Sequence, residues 1–305
     1  MSARAILARA LPRDGFSEQQ RGYAFGGLAA LIWGGFLAMS ARGVEAGLDA
    51  ADLALLRYET AGLLLLPWLM RHHRRVTAKI GWGRAIVLAL LAGPPFMLVG
   101  TSGFEFAPLA HSAVLQLGTV TLMGIVLAAI VTAERPGRAR LIGLAIVVAG
   151  LAIAAGPDPL RGGSQAWKGD LLFVAAGLMW ALFTVLQRHW QVEAMAATAL
   201  VAVLSALVYA PTYLAIRGPA TLAAAAPAML ITQAIFLGLF AGVIALFAFG
   251  RAVQHLGAGR ASLFPALAPA VAILLGVPLT GEIPSIAQLA GLLVLTGGLM
   301  LALRR

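Results

Sequence analysis

The sequence contains no cysteine and few charged residues. Without cysteine, disulfide bonds and cysteine-based metal sites are excluded. Only 11% of the 305 residues are charged, whereas 61% are hydrophobic and the mean hydropathy is +0.91. A soluble globular domain carries about 25% charged residues. The composition therefore indicates an integral membrane protein.

Reactive constellations and phosphate-binding motifs are also missing. The apolar stretches hold no paired aspartates, no serine in register with histidine and an acid, no histidine cluster for a metal and no P-loop for ATP. These absences argue against a membrane-embedded enzyme and against an ATP-driven pump. We therefore expect no catalytic residues, no metal and no cofactor. A channel or a purely structural membrane protein stays open at this point.

Long apolar runs recur along the whole chain. Each is about 20 residues long, which is enough for a helix to cross a hydrocarbon core roughly 30 Å thick. The runs are continuous rather than alternating, so a closed β-barrel is excluded. We predict an all-α integral membrane protein with ten transmembrane helices, at residues 22–41, 53–70, 85–104, 109–131, 141–156, 170–187, 196–216, 229–250, 259–280 and 286–303.

The distribution of basic residues predicts the orientation of these helices. Seventeen of the 22 Lys and Arg residues fall on one side, four on the other, and Arg57 lies inside a helix. By the positive-inside rule, both termini lie in the cytoplasm. The net charge of +10 is then a topology signal with some attraction to anionic lipid, and no nucleic-acid partner is expected.

Residues 1–21 form a basic segment that begins MSARAILARALPRDGFSEQQ. In this segment, the first three arginines recur every four to five residues among small apolar residues. Two interpretations stay open for this segment. It forms a short amphipathic helix at the membrane interface, or it is a disordered cytoplasmic tail. A signal peptide is disfavoured because the apolar stretch is short and Pro12 interrupts it.

The chain carries an internal repeat. GLAALIWGGFLAM at 27–39 and VAAGLMWALFTVL at 174–186 place Trp33 and Trp180 at the same point, 147 residues apart. With one residue inserted, the pattern Glu-x-Pro-(x)6-Gly-(x)6-Gly occurs at 134–150 and again at 282–298. We therefore divide the chain into a first repeat at 22–156, a periplasmic linker at 157–169 and a second repeat at 170–305.

Five helices per repeat is an odd number, so the second copy enters the membrane from the opposite side. The two repeats are then related by a pseudo-two-fold axis in the membrane plane. Two inverted copies can pack together in two nearly equivalent ways, which is the physical basis of alternating access. The substrate site is expected at their interface, near the middle of the membrane.

The repeat resembles a known family. A Trp-containing first helix in each half, and Glu-Arg-Pro or Glu-Ile-Pro before a Gly-rich fifth helix, are similar to the EamA type of the drug/metabolite transporter superfamily over about residues 22–303. Within that superfamily the chain is most similar to bacterial aromatic amino-acid exporters. The resemblance implies an inner-membrane secondary transporter whose central cavity is lined by the first, third, fourth, sixth, eighth and ninth helices.

The implied substrates are amino acids with aromatic or other large apolar side chains. Transport of drugs or other metabolites such as nucleotide sugars in the same fold is the alternative, and a non-transport membrane protein is a further one. Besides the small-molecule substrate and the lipid bilayer, we expect no obligatory protein partner.

The candidate substrate-binding residues lie near the helix midpoints and are aromatic or weakly polar. The rings would stack on an apolar side chain, while amide and hydroxyl groups would bond the amino and carboxylate groups. Each ring can instead face lipid or pack against a neighbouring helix. The candidates are Trp33, Phe96, Gln116, Thr119, Trp180, Thr184, Phe240 and Phe264.

Prolines interrupt the third and ninth predicted helices, in AGPPF and FPALAP. Such interruptions free backbone carbonyl groups and permit bending. We assign a gating or hinge role to these residues, against the alternative of a static kink. They are Pro94, Pro95, Pro265 and Pro269.

Ionisable residues inside predicted spans are costly and often functional. Glu59 is a candidate for proton coupling, and so is His111, because histidine titrates near neutral pH. Alternatively, Arg57 and Glu59 extend toward the outer interface or bond to a neighbouring helix, and His111 caps a helix or packs at an interface. Arg57 and Glu59 are two residues apart and point to different helix faces, so we expect no pair between them.

Overall fold

The computed structural model describes residues 17–132, 137–155, 165–257, 261 and 264–302. The first sixteen residues, Glu134 and Pro136 of the first Glu-x-Pro motif, and most of the predicted linker lie outside this part of the chain. The two interpretations of the N-terminal segment therefore stay predictions.

The regular structure of the described residues is helical. Seven helices, α1 to α4 and α6 to α8, are long and apolar enough to cross a membrane, whereas the apolar parts of α5, α9 and α10 are shorter. The count of ten membrane crossings therefore stays a prediction. The helices are α1 (Glu18–Glu45), α2 (Ala50–Ile80), α3 (Trp82–Glu105), α4 (Leu109–Thr132), α5 (Arg138–Ala155), α6 (Ala166–His189), α7 (Ala194–Ile216), α8 (Pro227–Leu256), α9 (Ala268–Thr280) and α10 (Ile286–Ala302).

Helix α2 is ten residues longer at its end than the sequence predicted. The predicted helix ended at residue 70, where the apolar run ends, but the observed helix continues through the basic stretch RHHRRVTAKI to Ile80. Arginine and lysine are good helix formers, so the helix outlasts the hydrophobic signal. It stops at Gly81, whose φ of 76° suits glycine.

Helix α3 is interrupted where the sequence predicted a break. Its first segment ends at Ala92, Gly93 is extended, and Pro94 begins the second segment. The Tyr58 hydroxyl of α2 donates a hydrogen bond of 2.7 Å to the Ala92 carbonyl, which the break leaves without its helical partner. In α8, the counterpart of α3, the π-helical stretch Ala234–Ile244 widens the helix instead.

The packing of the helices has a two-fold pattern. Helix α5 packs on α10 and α2 packs on α7. Helix α4 packs on α6 just as α9 packs on α1, and α1 packs on α8 just as α6 packs on α3. Exchanging α1–α5 with α6–α10 leaves this set of contacts unchanged. A two-fold axis between the repeats requires this pattern.

The matched glycines of the repeat meet at the contact between α5 and α10. A Cβ atom added at Gly150 would lie 2.9 Å from the carbonyl oxygen of Gly291, and one added at Gly298 would lie 2.9 Å from that of Gly143. Real Cβ atoms do not approach backbone atoms so closely. These glycines therefore allow two helix backbones to touch, as small residues do between membrane helices.

Candidate transport site

A narrow cleft lies between α1, α3 and α4, and we call it the aromatic cleft. Its empty volume is about 190 Å³. No water-sized sphere fits into this space, so the cleft is closed in this structure. Its lining is mostly aromatic and apolar, with few polar groups, and includes Phe36, Ser40, Phe96, Met97, Phe104 and Gln116.

Two of the predicted substrate-binding residues, Phe96 and Gln116, line the aromatic cleft. The Phe96 ring lies 5.1 Å from the ring of Trp180 on α6, so this tryptophan supports the cleft wall from behind. The Gln116 side-chain oxygen accepts a hydrogen bond of 3.4 Å from the Ser112 hydroxyl. One aromatic residue and one amide of the predicted set thus line the same cleft, and their role in substrate binding stays a prediction.

Three other predicted aromatic residues lie where α1 meets α8 and the segment before α9. Trp33 belongs to α1, Phe240 to α8 and Phe264 to the segment before α9. Trp33 contacts Phe249 with ring centroids 5.1 Å apart. Phe240 packs beside Trp33 against the same small buried cluster. The ring of Phe264 lies against Gly26, near the beginning of α1. None of the three lines the aromatic cleft.

The two tryptophans of the repeat occupy equivalent positions. Trp33 on α1 contacts Phe249 of α8, and Trp180 on α6 contacts Phe96 of α3. Each therefore packs against the third helix of the opposite repeat. Among the described residues no ring contact joins the two tryptophans.

The two predicted threonines are engaged elsewhere. Thr119 is buried in the contact between α4 and α6, where its Cβ would lie 2.8 Å from a Cβ added at Gly177. The Thr184 hydroxyl donates to the carbonyl of Trp180, one turn earlier in the same helix, at 2.9 Å. Their role in substrate binding stays a prediction.

The predicted hinge prolines lie at helix starts. Pro94 and Pro95 open the second segment of α3, Pro265 opens a short 3₁₀ turn, and Pro269 lies in the first turn of α9. At such positions the missing N–H group costs no helical hydrogen bond. The prolines therefore fit an interrupted helix, and their gating role stays a prediction.

The two residues proposed for proton coupling have different surroundings. His111 is buried, and its Nδ1 lies 2.7 Å from Oδ1 of Asp170, which joins α4 to α6. In Glu59, Oε1 is buried and has no hydrogen-bond partner within the described part of the chain. An unpaired carboxylate oxygen inside a span is costly, which keeps Glu59 a candidate for coupling.

Arg57, which the sequence interpretation did not count among the substrate-binding residues, does not line the aromatic cleft but contacts two residues that do. It does not extend to the membrane interface, because only 7% of the residue is exposed. Its guanidinium carbon lies 4.6 Å from the Phe36 ring centroid, and Nη1 lies 3.9 Å from Met97 Sδ. The interpretation that Arg57 extends toward the outer interface is therefore wrong. The alternative, in which Arg57 contacts neighbouring helices, agrees with the structure. Both contacted residues line the aromatic cleft.

A second pocket lies at the beginning of α4 and includes Glu282 of the α9–α10 loop. The Glu282 Oε2 atom accepts a hydrogen bond of 2.8 Å from the Leu109 backbone N–H and so caps α4. Burial raises the pKa of Glu282 above its ordinary value, and this hydrogen bond opposes part of the shift. The acid of the repeated Glu-x-Pro motif thus has a structural partner here.

No metal centre emerges from the described residues, which bring together no group of three or more His, Asp or Glu side chains suited to an ion. No curated protein matches the chain. Fourteen chains of solved structures match, and one of them, described only as a crystal structure of protein, has a TM-score of 0.60 and 20% sequence identity over 92% of this chain and 96% of that chain. At this identity the match shows a shared fold alone.

The family model named EamA-like transporter family matches the chain twice, at residues 20–156 and 167–304. The two matches correspond to the two halves of the internal repeat. The finer similarity to aromatic amino-acid exporters stays a prediction. The chain belongs to the EamA-like transporter family and is a multi-pass membrane transporter of the drug/metabolite type.

Proposed function

We propose that this chain is a secondary transporter that exports amino acids with aromatic or other large apolar side chains by alternating access. The observation that carries the proposal is the aromatic cleft, where Phe36, Phe96 and Phe104 surround a space that also meets the amide of Gln116. Stacked rings suit a large apolar side chain, and a few convergent polar groups suit a compact polar head.

Alternating access is supported by the two-fold packing and by the irregular helices. Helix α3 lines the cleft and is broken at Gly93, and its counterpart α8 contains the π-helical stretch Ala234–Ile244. Transporters built from inverted repeats typically place discontinuous helices at the substrate site. Unequal bending of the two irregular helices would open the cleft to one side of the membrane at a time.

The charge around the cleft favours amino acids over the alternative substrates. A nucleotide sugar carries a diphosphate, which calls for several basic side chains, whereas Arg57 is the one buried Lys or Arg of the described residues. A cationic drug would be repelled by the same guanidinium. A zwitterion with one carboxylate fits this arrangement.

Counterflow in proteoliposomes tests the proposed function. Vesicles containing purified protein are preloaded with unlabelled phenylalanine, and uptake of labelled phenylalanine is followed against protein-free vesicles. We expect a transient uptake above the equilibrium level. Absence of this overshoot in folded protein would reject amino-acid transport and direct the same assay to nucleotide sugars and drug-like cations.

We place the protein in a bacterial inner membrane with both termini in the cytoplasm, because the exposed basic end of α2 follows the positive-inside rule. The chain contains no cysteine, so single cysteines can be introduced at Arg75 and at Arg42 without further changes. In intact spheroplasts, a membrane-impermeant maleimide should label the cysteine at residue 42 and spare the one at residue 75. The reverse pattern would contradict the orientation.

A further inference from the structure

The guanidinium of Arg57 is a buried positive charge beside the aromatic cleft. The residue is 7% exposed, and it lies within a span. In the described part of the chain, no Asp or Glu forms an ion pair with it. Glu59 lies two positions further along the same helix and so faces a different side.

The contacts of Arg57 offset only part of the cost of burying its positive charge. Its guanidinium lies over the rings of Phe36 and Tyr58, at 4.6 and 5.4 Å, and Nη1 lies 3.9 Å from Met97 Sδ. A guanidinium has five N–H donors, and a thioether sulfur is a weak acceptor. Taking a charge out of water without an opposite charge is expensive. The position is therefore incomplete without an anion.

The cleft is where such an anion would be held. Phe36 and Met97 touch Arg57 and also line the cleft. Gln116 lines the cleft from α4, and its side-chain oxygen already accepts from Ser112. The amide nitrogen of Gln116 is a second donor for the same ligand. The rest of the lining combines three phenylalanines with small, aliphatic and hydroxyl-bearing residues, and it includes no Lys or Arg.

We infer that Arg57 binds the carboxylate of the transported substrate in the aromatic cleft, so that a free carboxylate is required for transport while the substrate's ring lies against Phe36, Phe96 and Phe104. The inference deepens the proposed function and rests on it for the identity of the substrate. A guanidinium pairs with a carboxylate through two parallel hydrogen bonds, which lysine does not reproduce.

The experiment separates the carboxylate from the amino group. Counterflow of labelled phenylalanine is measured with two competitors, 3-phenylpropanoate, which lacks the amino group, and 2-phenylethylamine, which lacks the carboxylate. We expect 3-phenylpropanoate to compete and 2-phenylethylamine to have no effect at tenfold higher concentration. Equal competition by the amine would overturn the inference and leave amino-acid transport standing.

Variants at residue 57 give the second arm. Arg57→Met should weaken phenylalanine binding at least about tenfold, as loss of a hydrogen-bonded charge does, and Arg57→Lys should recover part of the loss. Arg42→Met is the matched control, since Arg42 is 46% exposed and pairs with Glu45 at the end of α1. Unchanged phenylalanine affinity in Arg57→Met would overturn the inference.

A binding assay on the wild-type protein covers the case in which Arg57→Met does not fold. The melting temperature is measured with 3-phenylpropanoate and with 2-phenylethylamine, and a rise with the carboxylate alone supports the inference. A rise with the amine alone would overturn it. Stabilisation by carboxylates that is weaker in Arg57→Lys, with no phenylalanine counterflow, would reject the proposed amino-acid function while leaving the carboxylate site in place.

Discussion

His111 Nδ1 on α4 lies 2.7 Å from Asp170 Oδ1 on α6, so one hydrogen-bonded pair joins the two repeats. A second pair of the same kind joins them again, since His255 Nδ1 on α8 lies 2.5 Å from Glu18 Oε2 on α1. In each pair the carboxylate comes from the first helix of one repeat and the histidine from the opposite repeat. The two contacts are not counterparts under the exchange of the repeats, because His111 lies on α4, the fourth helix of its repeat, and His255 lies on α8, the third helix of its repeat.

The two pairs lie at opposite ends of the helix bundle. Glu18 is the first residue of α1, whereas Leu109, two residues before His111, belongs to the same buried cluster as Ala41 near the end of α1. At 1.5 Å per residue, these positions on α1 are about 35 Å apart. In alternating access the ends open in turn, so each pair is in a position to hold one end closed.

Burial predicts that the two pairs differ in strength. The side chains of His111 and Asp170 are 4% and 13% exposed, whereas Glu18 is 74% exposed. Asp170→Asn should lower the free energy of unfolding by about 2 kcal/mol, and Glu18→Gln by less than about 1 kcal/mol. Thermal denaturation in detergent measures both variants. Equal losses would contradict the difference in strength that burial predicts.

The contact between α5 and α10 should tolerate no side chain at Gly150. A methyl group there would lie 2.6 Å from the Leu295 backbone nitrogen, so Gly150→Ala should cost roughly 1–3 kcal/mol of folding free energy. Gly297→Ala on α10 is the control, because a Cβ at Gly297 meets nothing within 4 Å. There alanine should be neutral or stabilising, since glycine is the poorer helix former.

The difference between these two glycine variants is the measurement that matters. Melting temperatures of Gly150→Ala and Gly297→Ala should move in opposite directions from the wild type, or only the first should fall. If both variants have the melting temperature of the wild type, the backbones of α5 and α10 do not touch at Gly150.

Glu282 should make stability depend on pH. Its folded pKa is raised by burial, so the folded state holds the proton more tightly than the unfolded state. The stability that Glu282 contributes is then present below its unfolded pKa, whose reference value is 4.5, and is lost as the pH rises through the raised folded pKa. Glu282→Gln keeps an oxygen that accepts from Leu109 and has no proton to lose.

The expected result is a difference that grows with pH. The melting temperature of Glu282→Gln minus that of the wild type should increase from acidic to neutral pH and then level off. A difference that stays constant from pH 4 to 8, or that shrinks as the pH rises, would contradict the raised pKa.

The spacing of the internal repeat predicted which residues occupy equivalent positions in the two halves. It did not predict which of these residues touch each other. The offset of 147 residues correctly identified Trp33 and Trp180 as counterparts, and each packs against the third helix of the opposite repeat. A two-fold axis relates two sites without bringing them together, unless they lie near the axis. The glycines of α5 and α10 do lie at such a contact, which explains why Gly150 meets Gly291 and Gly298 meets Gly143.

Hydropathy located the helices of the described residues and misjudged features that depend on tertiary contacts. It ended α2 at residue 70 because the apolar run ends there, although helix propensity continues to Ile80. It placed Arg57 near an interface, because distance along a helix is readable from sequence and the burial imposed by Phe36 and Met97 is not. The hydrogen bond from Tyr58 to Ala92 joins residues 34 positions apart and left no local signal.

Under the proposed function, large apolar amino acids pass through the aromatic cleft. The most direct test is the initial rate of phenylalanine counterflow in Phe96→Ala, which removes a buried wall of the cleft, beside Phe247→Ala, which alters a ring that is 54% exposed on α8. We predict overshooting uptake in the wild type and in Phe247→Ala, and a rate at least about tenfold lower in Phe96→Ala. Equal rates in the two variants, with both proteins folded, would contradict the claim.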